Sequence, residues 1–304
     1  MIRDFQSMVS STPKISIGMP VYNGEKYIRK ALDSLLRQTF TDFELIISDN
    51  ASTDRTREIC LEYAKKDNRI RYYRNQENIG AAKNFNRLIE LSSGEFFMWA
   101  GDHDMWDKTF LSRCLEVLMQ NKNAVLCYAK AMIIGPDDNF LCFSPTSLDT
   151  SNLDNPWDRF RKTIHEAKFC DMIYGLIRLK ALKETSGIAT AISPDYLLLA
   201  ELSLKGSFVQ IPDALFSMRQ NRPGETQHEA EKRQIEFMWP GRKRFLSAHV
   251  ILQYIILMFR QLNLVRNTSF SFKKKLWLIT DTISFFISHA KFLERISNAI
   301  FKKF

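Results

Sequence analysis

The sequence has few of the features that mark secreted, disulfide-rich or membrane-spanning proteins. It contains five cysteines in 304 residues and no Cys-x-x-Cys pair, which argues against a disulfide framework or a thiolate zinc site. Residues 1–13 lack an apolar stretch long enough for a signal peptide. The apolar run at residues 250–259 is interrupted by Gln253 and is far shorter than the ~20 residues of a membrane-spanning helix. We therefore expect a reducing compartment, a flexible leader over residues 1–13 and no spanning helix.

Excess positive charge is absent from the first 240 residues and is concentrated in the C-terminal tail. Residues 241–304 hold twelve Lys or Arg and two acidic side chains, whereas the residues before them hold 31 basic and 32 acidic side chains. A nucleic-acid-binding domain carries its basic groups beside stacking aromatics, on the domain that holds the site. This distribution therefore predicts no nucleic-acid partner.

The first half of the chain contains a regular alternation of strand and helix patterns. Strands are predicted at residues 14–19, 43–48, 70–74 and 96–100, and helices at residues 25–38, 54–66 and 81–91. Strands separated by helices of this length pair in parallel, within a doubly wound sheet. The predicted fold class is α/β, with a mainly parallel sheet, flanking helices and a C-terminal helical basic tail.

Polar loops follow these strands at their carboxyl ends, where such sheets bind ligands. The last loop, Asp102-His103-Asp104, offers two carboxylates, and hard cations such as Mg²⁺ and Mn²⁺ bind carboxylate oxygen together with phosphate-bearing ligands. Because the loops meet at one edge, the sequence predicts a metal-dependent nucleotide site there. The other three loops are Pro20-Val21-Tyr22-Asn23, residues 49–54 and Asn78-Ile79-Gly80.

Simpler structural roles stay open for several of these residues. Asn23 and Asp54 are also placed to cap the helices that follow them, and Asn78-Ile79-Gly80 also fits a plain turn. His103 is predicted to support the site indirectly rather than to bind metal, because imidazole is a minor partner for Mg²⁺ and adjacent side chains rarely converge.

The ordered set of four loops, with Asn84 after the third, resembles family 2 glycosyltransferases of the GT-A fold over about residues 14–220. The resemblance implies that Asp49 contacts a nucleotide base, that Asp102 faces the ribose, and that Asp104 binds a divalent metal, with Asp102 as a possible second ligand. The implied cofactor is Mg²⁺ or Mn²⁺. The candidate nucleotide-binding residues are Pro20, Val21, Tyr22, Asn23, Glu25, Asp49, Asn78, Gly80, Asn84, Asp102 and His103.

The resemblance also supplies a candidate catalytic base, Asp195. Family members place an acidic residue at the start of such a helix, followed by a Lys-Gly turn and an apolar strand, as in Lys205-Gly206 and residues 207–212. Pro194 replaces the usual acidic neighbour, so one carboxylate is available. The alternative is that Asp195 is a helix-start residue stabilised by the helix dipole.

Two features after residue 212 bear on the mode of action. The Gln-x-x-Arg-Trp motif of processive relatives is missing, which favours the addition of one sugar per encounter. Arg219, Arg222 and His228 lie in a polar, glycine-bearing stretch that is either a mobile lid over a diphosphate or an ordinary solvated loop.

The tail has an amphipathic, cationic pattern. Apolar side chains recur every three or four residues from Leu276 to Ile300, with Lys273, Lys274 and Lys275 before them. This pattern is typical of helices that lie in a membrane interface, and we favour an anionic membrane surface as partner. The alternative is that these helices pack their apolar faces on the catalytic domain.

The sequence therefore predicts an inverting, metal-dependent glycosyltransferase that moves one sugar from a nucleotide-diphosphate sugar to a glycan or lipid-linked acceptor, on the cytoplasmic membrane face. Two alternatives are a sugar nucleotidyltransferase and an inactive membrane-bound adaptor. A nucleotidyltransferase needs a glycine-rich, basic loop after the first strand, which Pro20-Val21-Tyr22-Asn23-Gly24 does not provide. The predicted units are a leader (1–13), a nucleotide half (14–107) and an acceptor half (108–220) of one catalytic domain, a polar loop (221–241) and basic helices (242–304).

Overall fold

The computed structural model describes residues 12–167, 169–190, 194–220 and 246–284. The predicted polar loop at residues 221–241 lies outside these ranges, as does most of the predicted leader. The tail beyond residue 284 lies outside them too.

The N-terminal part alternates strands with helices, as the sequence predicts. The strands are β1 (Ile15–Val21), β2 (Phe43–Asp49), β3 (Ile70–Arg74), β4 (Phe96–Trp99) and β5 (Met105–Trp106). The helices are α1 (Ile28–Leu36), α2 (Thr56–Lys66), α3 (Ala81–Leu91) and α4 (Phe110–Gln120). Helices α1 and α2 begin later than predicted, because the residues before them bind the neighbouring loop, as described below.

The second part adds longer strands and the remaining helices. The strands are β6 (Ala124–Ile134), β7 (Phe140–Phe143), β8 (Leu176–Arg178) and β9 (Ser207–Arg219). The helices are α5 (Pro156–Glu166), a 3₁₀ turn (Asp171–Tyr174), α6 (Leu179–Lys183), α7 (Pro194–Lys205), α8 (Leu246–Arg266) and α9, which covers residues 272–284.

Within the described residues the strands form one sheet in the order β3-β2-β1-β4-β8-β6-β9-β5, with β7 on β6. The long ladders are parallel: β1 pairs with β2 and β4, β2 with β3, and β6 with β9. The shorter ladders of β5, β7 and β8 are antiparallel. The predicted α/β class with a mainly parallel sheet is confirmed.

Helices cover both faces of this sheet. Alternate residues of a strand point to opposite faces, so Leu45 and Ile47 of β2 join one core cluster while Ile46 joins the other. The first cluster includes α1, α2 and α4, and the second includes α3, α6 and α7. This layering leaves the loops at the strand ends as the place where polar side chains meet.

The described part of the C-terminal tail packs on the catalytic domain. Val265 of α8 and Leu278 of α9 are buried against Phe160 and Ile164 of α5, and Ala200 of α7. Leu257 is buried in a neighbouring cluster that includes α7. Nowhere in the described ranges does a helix reach the length and apolarity that crossing a bilayer requires.

Candidate active site

The loops that follow β1 and β2 are fastened together. The Asn50 N–H donates to the Val21 carbonyl over 2.8 Å, and the Asn23 N–H donates to the Ser52 hydroxyl over 3.0 Å. In the other direction, the Thr53 N–H donates to Asn23 Oδ1 over 2.8 Å. The two predicted loops therefore form one rim at the carboxyl edge of the sheet.

Asn23 does not cap α1, so that structural alternative is wrong. Helix α1 begins at Ile28, its cap position is Tyr27, and no side chain makes a capping bond there. Asn23 instead has a φ of 53°, in the left-handed region that shapes the turn. A Cβ on the next residue, Gly24, would lie 2.3 Å from Asp102 Oδ2. The loop after β1 therefore approaches the Asp-x-Asp loop as closely as glycine allows.

Asp54 binds both the helix it precedes and the neighbouring loop. Its Oδ1 accepts from the Thr56 N–H over 3.0 Å, and its Oδ2 accepts from the Glu25 N–H over 3.1 Å. The Glu25 carboxylate returns the contact by accepting from the Arg55 N–H over 2.9 Å. Burial raises the pKa of the Asp54 carboxyl, but the bonds from Thr56 and Glu25 outweigh it and keep that pKa below its usual value.

Asp49, at the end of β2, is fully buried. Its Oδ1 accepts from the Ser52 N–H over 2.8 Å, and its Oδ2 accepts from the Tyr72 hydroxyl and the Arg74 guanidinium, each over 2.6 Å. Burial raises the pKa of this carboxyl, but these donors outweigh it and hold the Asp49 pKa below its usual value. Asp49 is therefore a fixed anion at neutral pH.

Asn78, Gly80 and Asn84 belong to a network of amides behind the rim. Asn78 Oδ1 accepts from Asn50 Nδ2 over 2.7 Å and from the Gly80 N–H over 3.0 Å. Asn84, which is 2% exposed, accepts from the Ser48 hydroxyl over 2.7 Å and donates to the Ser48 carbonyl over 2.9 Å. These bonds hold α3 against β2, and direct contact of Asn84 with a nucleotide stays a prediction.

Asp102, His103 and Asp104 form one cluster after β4. His103 Nδ1 lies 2.7 Å from Asp102 Oδ1, and His103 Nε2 lies 3.9 Å from Asp104 Oδ1. Burial alone lowers the pKa of the imidazole, but the charges of Asp104 and Asp102 outweigh it and raise the pKa of His103 to about 9. His103 therefore lies close to both carboxylates, against the sequence expectation that adjacent side chains rarely converge.

The oxygen donors of this cluster fit a hard cation. Asp104 Oδ1 accepts from the Arg219 N–H over 2.8 Å, and Asp104 Oδ2 lies 2.4 Å from where a Cβ on Gly101 would be. Burial raises the pKa of the Asp104 carboxyl, because a desolvated anion favours a nearby cation or a proton. The described ranges hold no group of three or more His, Cys, Asp or Glu side chains arranged to bind metal. A divalent ion held by Asp104 and Asp102 would therefore take its remaining oxygens from ligand and water.

Arg219, the last residue of β9, joins separate parts of the site. Its Nε donates to the His103 carbonyl over 2.8 Å, and its main-chain N–H donates to Asp104. Its Nη1 donates to the Gly135 carbonyl over 2.8 Å, and its Nη2 lies 2.5 Å from Asp138 Oδ1. The sequence-based placement of Arg219 in a polar stretch after the last strand, as part of a lid, is therefore wrong.

Sequence reasoning missed this role because it ended the last strand at Pro212. Strand β9 continues through Phe216 and Met218, whose apolar side chains were the available signal. The other predicted lid residues, Arg222 and His228, lie outside the described residues.

Asp195 lies in the first turn of α7, as both sequence alternatives require. Its Oδ1 accepts from the Tyr196 N–H over 3.0 Å. Burial raises the pKa of the Asp195 carboxyl to about 6, and the main-chain hydrogen bond opposes the shift only in part. A carboxylate with this pKa is ionised at neutral pH and is more basic than an exposed one.

Tyr174 and Cys60 are each affected by the charges of several of these carboxylates. The charges of Asp104, Asp195 and Asp102 all act on Tyr174, and together with burial, the larger cause, they raise its pKa. Burial and the charges of Asp49, Asp102 and Asp54 likewise raise the pKa of Cys60 to about 12. Sequence reasoning did not select Tyr174, because a lone tyrosine carries no motif.

Comparisons with known proteins agree with this geometry. The family model "Glycosyl transferase family 2" matches residues 16–185, more than half of the chain. The putative teichuronic acid biosynthesis glycosyltransferase TuaG of Bacillus subtilis (strain 168) is 36% identical over 117 residues, which are 38% of this chain and 46% of TuaG. The matched segments span about half the length of the first curated relatives.

Solved structures show the same fold at low sequence identity. S. aureus TarS 1–349 in complex with UDP-GlcNAc superposes with a TM-score of 0.66 and 20% identity, over 90% of this chain and 73% of that one. The mannosyltransferase PcManGT from Pyrobaculum calidifontis, in complex with GDP-Man and Mn²⁺, superposes with a TM-score of 0.54 and 14% identity. The match covers 92% of this chain and 87% of PcManGT.

These findings confirm the GT-A fold and the predicted enzyme class. Relatives that bear glycosyltransferase names favour this class over the two alternatives, a nucleotidyltransferase and an inactive adaptor. The chain belongs to glycosyl transferase family 2.

Proposed function

We propose that the protein transfers a single sugar from a nucleotide-diphosphate sugar to a hydroxyl of a growing cell-surface glycan or lipid-linked oligosaccharide, with inversion at the anomeric carbon. The observation that carries the proposal is that the charges of Asp102, Asp104 and Asp195 all act on one side chain, Tyr174. A carboxylate pair suited to a divalent ion that holds a diphosphate, and a separate basic carboxylate, are the two parts that such a transfer needs.

The donor would lie along the rim formed by the loops after β1, β2 and β4. Asp49 would face the base and Asp102 the ribose, as the family resemblance implies. The complexes of TarS with UDP-GlcNAc and of PcManGT with GDP-Man support a nucleotide-sugar donor, although they differ in the base and the sugar.

Asp195 would act as the general base. Its ionised carboxylate takes the proton of the acceptor hydroxyl while that oxygen bonds to the anomeric carbon, and the bond from this carbon to the diphosphate oxygen breaks on the opposite side. One attack from the face opposite the leaving group inverts the configuration. A positioned base of this kind contributes about 10²–10⁴-fold to the rate.

Asp104, with Asp102 as a second ligand, would hold Mg²⁺ or Mn²⁺. When bound, the ion would stabilise the negative charge that develops on the leaving nucleoside diphosphate. Arg219 fixes the Asp104 carboxylate through its main-chain N–H, so one Asp104 oxygen is held by protein and Oδ2 stays available.

The acceptor assignment rests on the relatives and on the tail. TuaG is named for teichuronic acid biosynthesis, which supports a surface polysaccharide as the acceptor class. The absence of a Gln-x-x-Arg-Trp motif supports single addition, and the basic tail supports action at the cytoplasmic face of a membrane.

The test is release of nucleoside diphosphate from a panel of nucleotide sugars, measured with wild type and with Asp195→Asn and Asp104→Asn. We expect Asp195→Asn to keep donor binding in a thermal-shift assay but to lose turnover. Asp104→Asn should lose the stabilisation that Mn²⁺ adds in the presence of nucleoside diphosphate.

Glu201 offers a matched control on the same helix. It is a buried carboxylate of α7 that accepts from the Ser186 N–H over 2.7 Å, so it serves the fold. Glu201→Gln should lower the melting temperature and keep turnover. The proposal fails if Asp195→Asn turns over like wild type, or if no nucleotide shifts the melt.

A further inference from the structure

Most exposed large apolar side chains of the described surface fall into two groups. One is on β7 and contains Phe140, Leu141 and Phe143, directly after the acidic pair Asp137-Asp138. The other is on α8 and α9. It contains Phe259, Phe272, Leu276 and Trp277, among the basic residues Arg260, Arg266, Lys273, Lys274 and Lys275.

Helix α8 has two faces with different surroundings. Leu257, Gln261 and Val265 follow one another at intervals of four residues and are at most 2% exposed, because this face packs on the catalytic domain. Phe259 lies on another face of the same helix and is 61% exposed. The packing of α8 therefore leaves an aromatic side chain in solvent.

Helix α9 repeats this division. Leu278 and Thr282 are fully buried, whereas Phe272 is 79% exposed and Leu276, four residues later, is 52% exposed. An apolar pair at this spacing lies on one side of a helix. The two sequence alternatives for the tail, packing on the domain and binding a membrane, therefore apply to different faces of the same helices.

Contacts with the catalytic domain hold this surface in place. The rings of Trp157 and Trp277 stack with their centroids 5.0 Å apart, and Asp281 Oδ2 lies 2.9 Å from His165 Nε2. Lys275 Nζ donates to the Arg266 carbonyl over 2.7 Å, which joins the start of α9 to the end of α8. The exposed side chains are thus presented by an ordered scaffold.

The surface carries charge of one sign. Residues 246–284 contain five Lys or Arg and a single acidic residue, Asp281. Asp281 lies against His165 and also 3.6 Å from Arg161 Nε, both on α5. Its charge is therefore matched by basic groups of the catalytic domain, and the five basic residues are left to favour an anionic partner.

We propose that the exposed side of α8 and α9, which carries Phe259, Phe272 and Leu276 and is called here the docking face, binds the surface of an anionic phospholipid bilayer. The aromatic and aliphatic side chains would enter the interface while Arg260, Lys273 and their basic neighbours contact the headgroups. The inference deepens the proposed function and rests on it only for its biological purpose, since the docking face assigns residues to the predicted membrane contact.

Flotation of the full chain with vesicles tests the docking face. Wild type should bind vesicles of phosphatidylcholine mixed with phosphatidylglycerol, bind phosphatidylcholine alone poorly, and dissociate as salt is added. Phe272→Ser should weaken binding about tenfold, because an exposed aromatic ring no longer enters the interface. Lys273→Glu should weaken it to a similar degree through charge reversal.

Matched controls come from surfaces away from the tail. Phe140→Ser removes a ring of similar type that is 54% exposed on β7, and Lys65→Glu reverses an exposed charge on α2. Both should bind vesicles as wild type does, and all four variants should keep the wild-type melting temperature. The docking face is overturned if neutral and anionic vesicles bind equally, or if Phe140→Ser loses as much binding as Phe272→Ser.

Two further measurements distinguish lipid binding from self-association of the chain and from the proposed transferase activity. If light scattering shows that Phe272→Ser turns an oligomer into a monomer, the face is a contact between copies of the chain, and the lipid assignment is wrong. Nucleoside diphosphate release with a water-soluble acceptor should be unaffected by Phe272→Ser. Loss of vesicle binding with normal turnover would thus leave the proposed function standing, and vesicle binding without turnover would leave the docking face standing.

Discussion

Two carboxylates of the candidate site, the buried Asp49 and the half-buried Asp195, have opposite surroundings. Asp49 receives hydrogen bonds from Ser52, Tyr72 and Arg74, and its pKa is held below the usual value despite burial. Among the described residues, main-chain hydrogen bonds from Tyr196 and from Asp195 itself are what oppose burial at Asp195, and its pKa rises to about 6. The first environment stabilises a permanent charge, whereas the second keeps a proton acceptor basic.

The difference separates binding from reaction. A carboxylate saturated with donors is a poor base, because proton uptake would break those bonds. A carboxylate left short of donors costs folding free energy but accepts a proton near neutral pH, which general-base catalysis requires.

The largest expected effect is on turnover. Asp195→Asn removes the proton acceptor and should lower kcat by about 10²–10⁴-fold, with little change in donor affinity. Product formation and thermal shift with nucleoside diphosphate measure the two quantities. Equal losses of kcat in Asp195→Asn and Glu201→Gln would remove the distinction between a reacting and a structural carboxylate on α7.

The next effect is on folding stability. Asp49→Asn leaves Arg74 and Tyr72 facing a neutral amide, and we expect a loss of about 3 kcal/mol in the free energy of unfolding. Denaturant titration measures it. Asp213→Asn is the control, because Asp213 forms an exposed pair with Arg113 whose side chains are each 46% exposed, and such pairs contribute little. A similar loss in both variants would contradict the assigned role of Asp49.

Substitution of Arg219 tests whether this one side chain holds the loop of His103 to the loop of Gly135. Arg219→Ala leaves the carbonyls of His103 and Gly135 without this donor and leaves Asp138 with Lys30 as its remaining partner, and we expect a loss of about 2 kcal/mol. The stabilisation by Mn²⁺ with nucleoside diphosphate should also fall, because the Asp-x-Asp loop is held less firmly. Arg113→Ala, on the exposed pair, should change neither quantity, and an equal effect would contradict the joining role.

The pH profile follows from the same contrast. Asp195 must be ionised to accept a proton, so kcat/KM should fall about tenfold per pH unit below about pH 6. Asp49 has a lowered pKa, so nucleoside binding in the absence of metal, which does not involve Asp104, should stay constant over that range. A binding curve that falls in parallel with kcat/KM would place the titration in the nucleotide half instead.

The smallest expected effect is a gain in stability. The raised pKa of Asp195 means that the folded state binds its proton more tightly than the unfolded state, so the cost of this group to stability grows from about pH 4 to about pH 6 and is constant above that. Asp195→Asn should therefore raise the free energy of unfolding by about 1 kcal/mol at neutral pH. The gain should vanish below the unfolded pKa, near pH 4, and a gain that persists there would rule out titration as its cause.

Local sequence predicted some elements to the residue. Strand β3 and helix α3 have the predicted bounds of 70–74 and 81–91, because strong periodicity and flanking breakers fix them without distant partners. Helix α1 is shorter than predicted. Glu25, inside the predicted helix, donates its main-chain N–H to Asp54 on another loop, and local periodicity does not register that bond.

Some residues of the candidate site could likewise be selected from local sequence, and others could not. The acidic residues at the strand ends were selected from the sequence, since Asp49, Asp102 and Asp104 follow apolar strands. Tyr174 and Arg219 were not assigned their places, because each acts through residues that are distant in sequence. Arg219 is buried and donates to the carbonyls of His103 and Gly135 only because β9 brings it beside them.

Local sequence also left undecided how the helices of the C-terminal tail pack. Its apolar spacing was readable, but the spacing does not say which face a protein domain covers. Packing on α5 and α7 decides that Leu257, Val265 and Leu278 are covered while Phe259 and Phe272 stay exposed.

The sequence by itself determined the alternation of strands and helices, the polar loops at the strand ends and the family, since these depend on local periodicity and short motifs. The tertiary structure decided the state of each charge. A pKa depends on burial and on which donors surround a carboxylate. Tyr72 and Arg74, which are distant in sequence, donate to Asp49 besides the nearby Ser52, whereas the described residues oppose burial at Asp195 with main-chain donors.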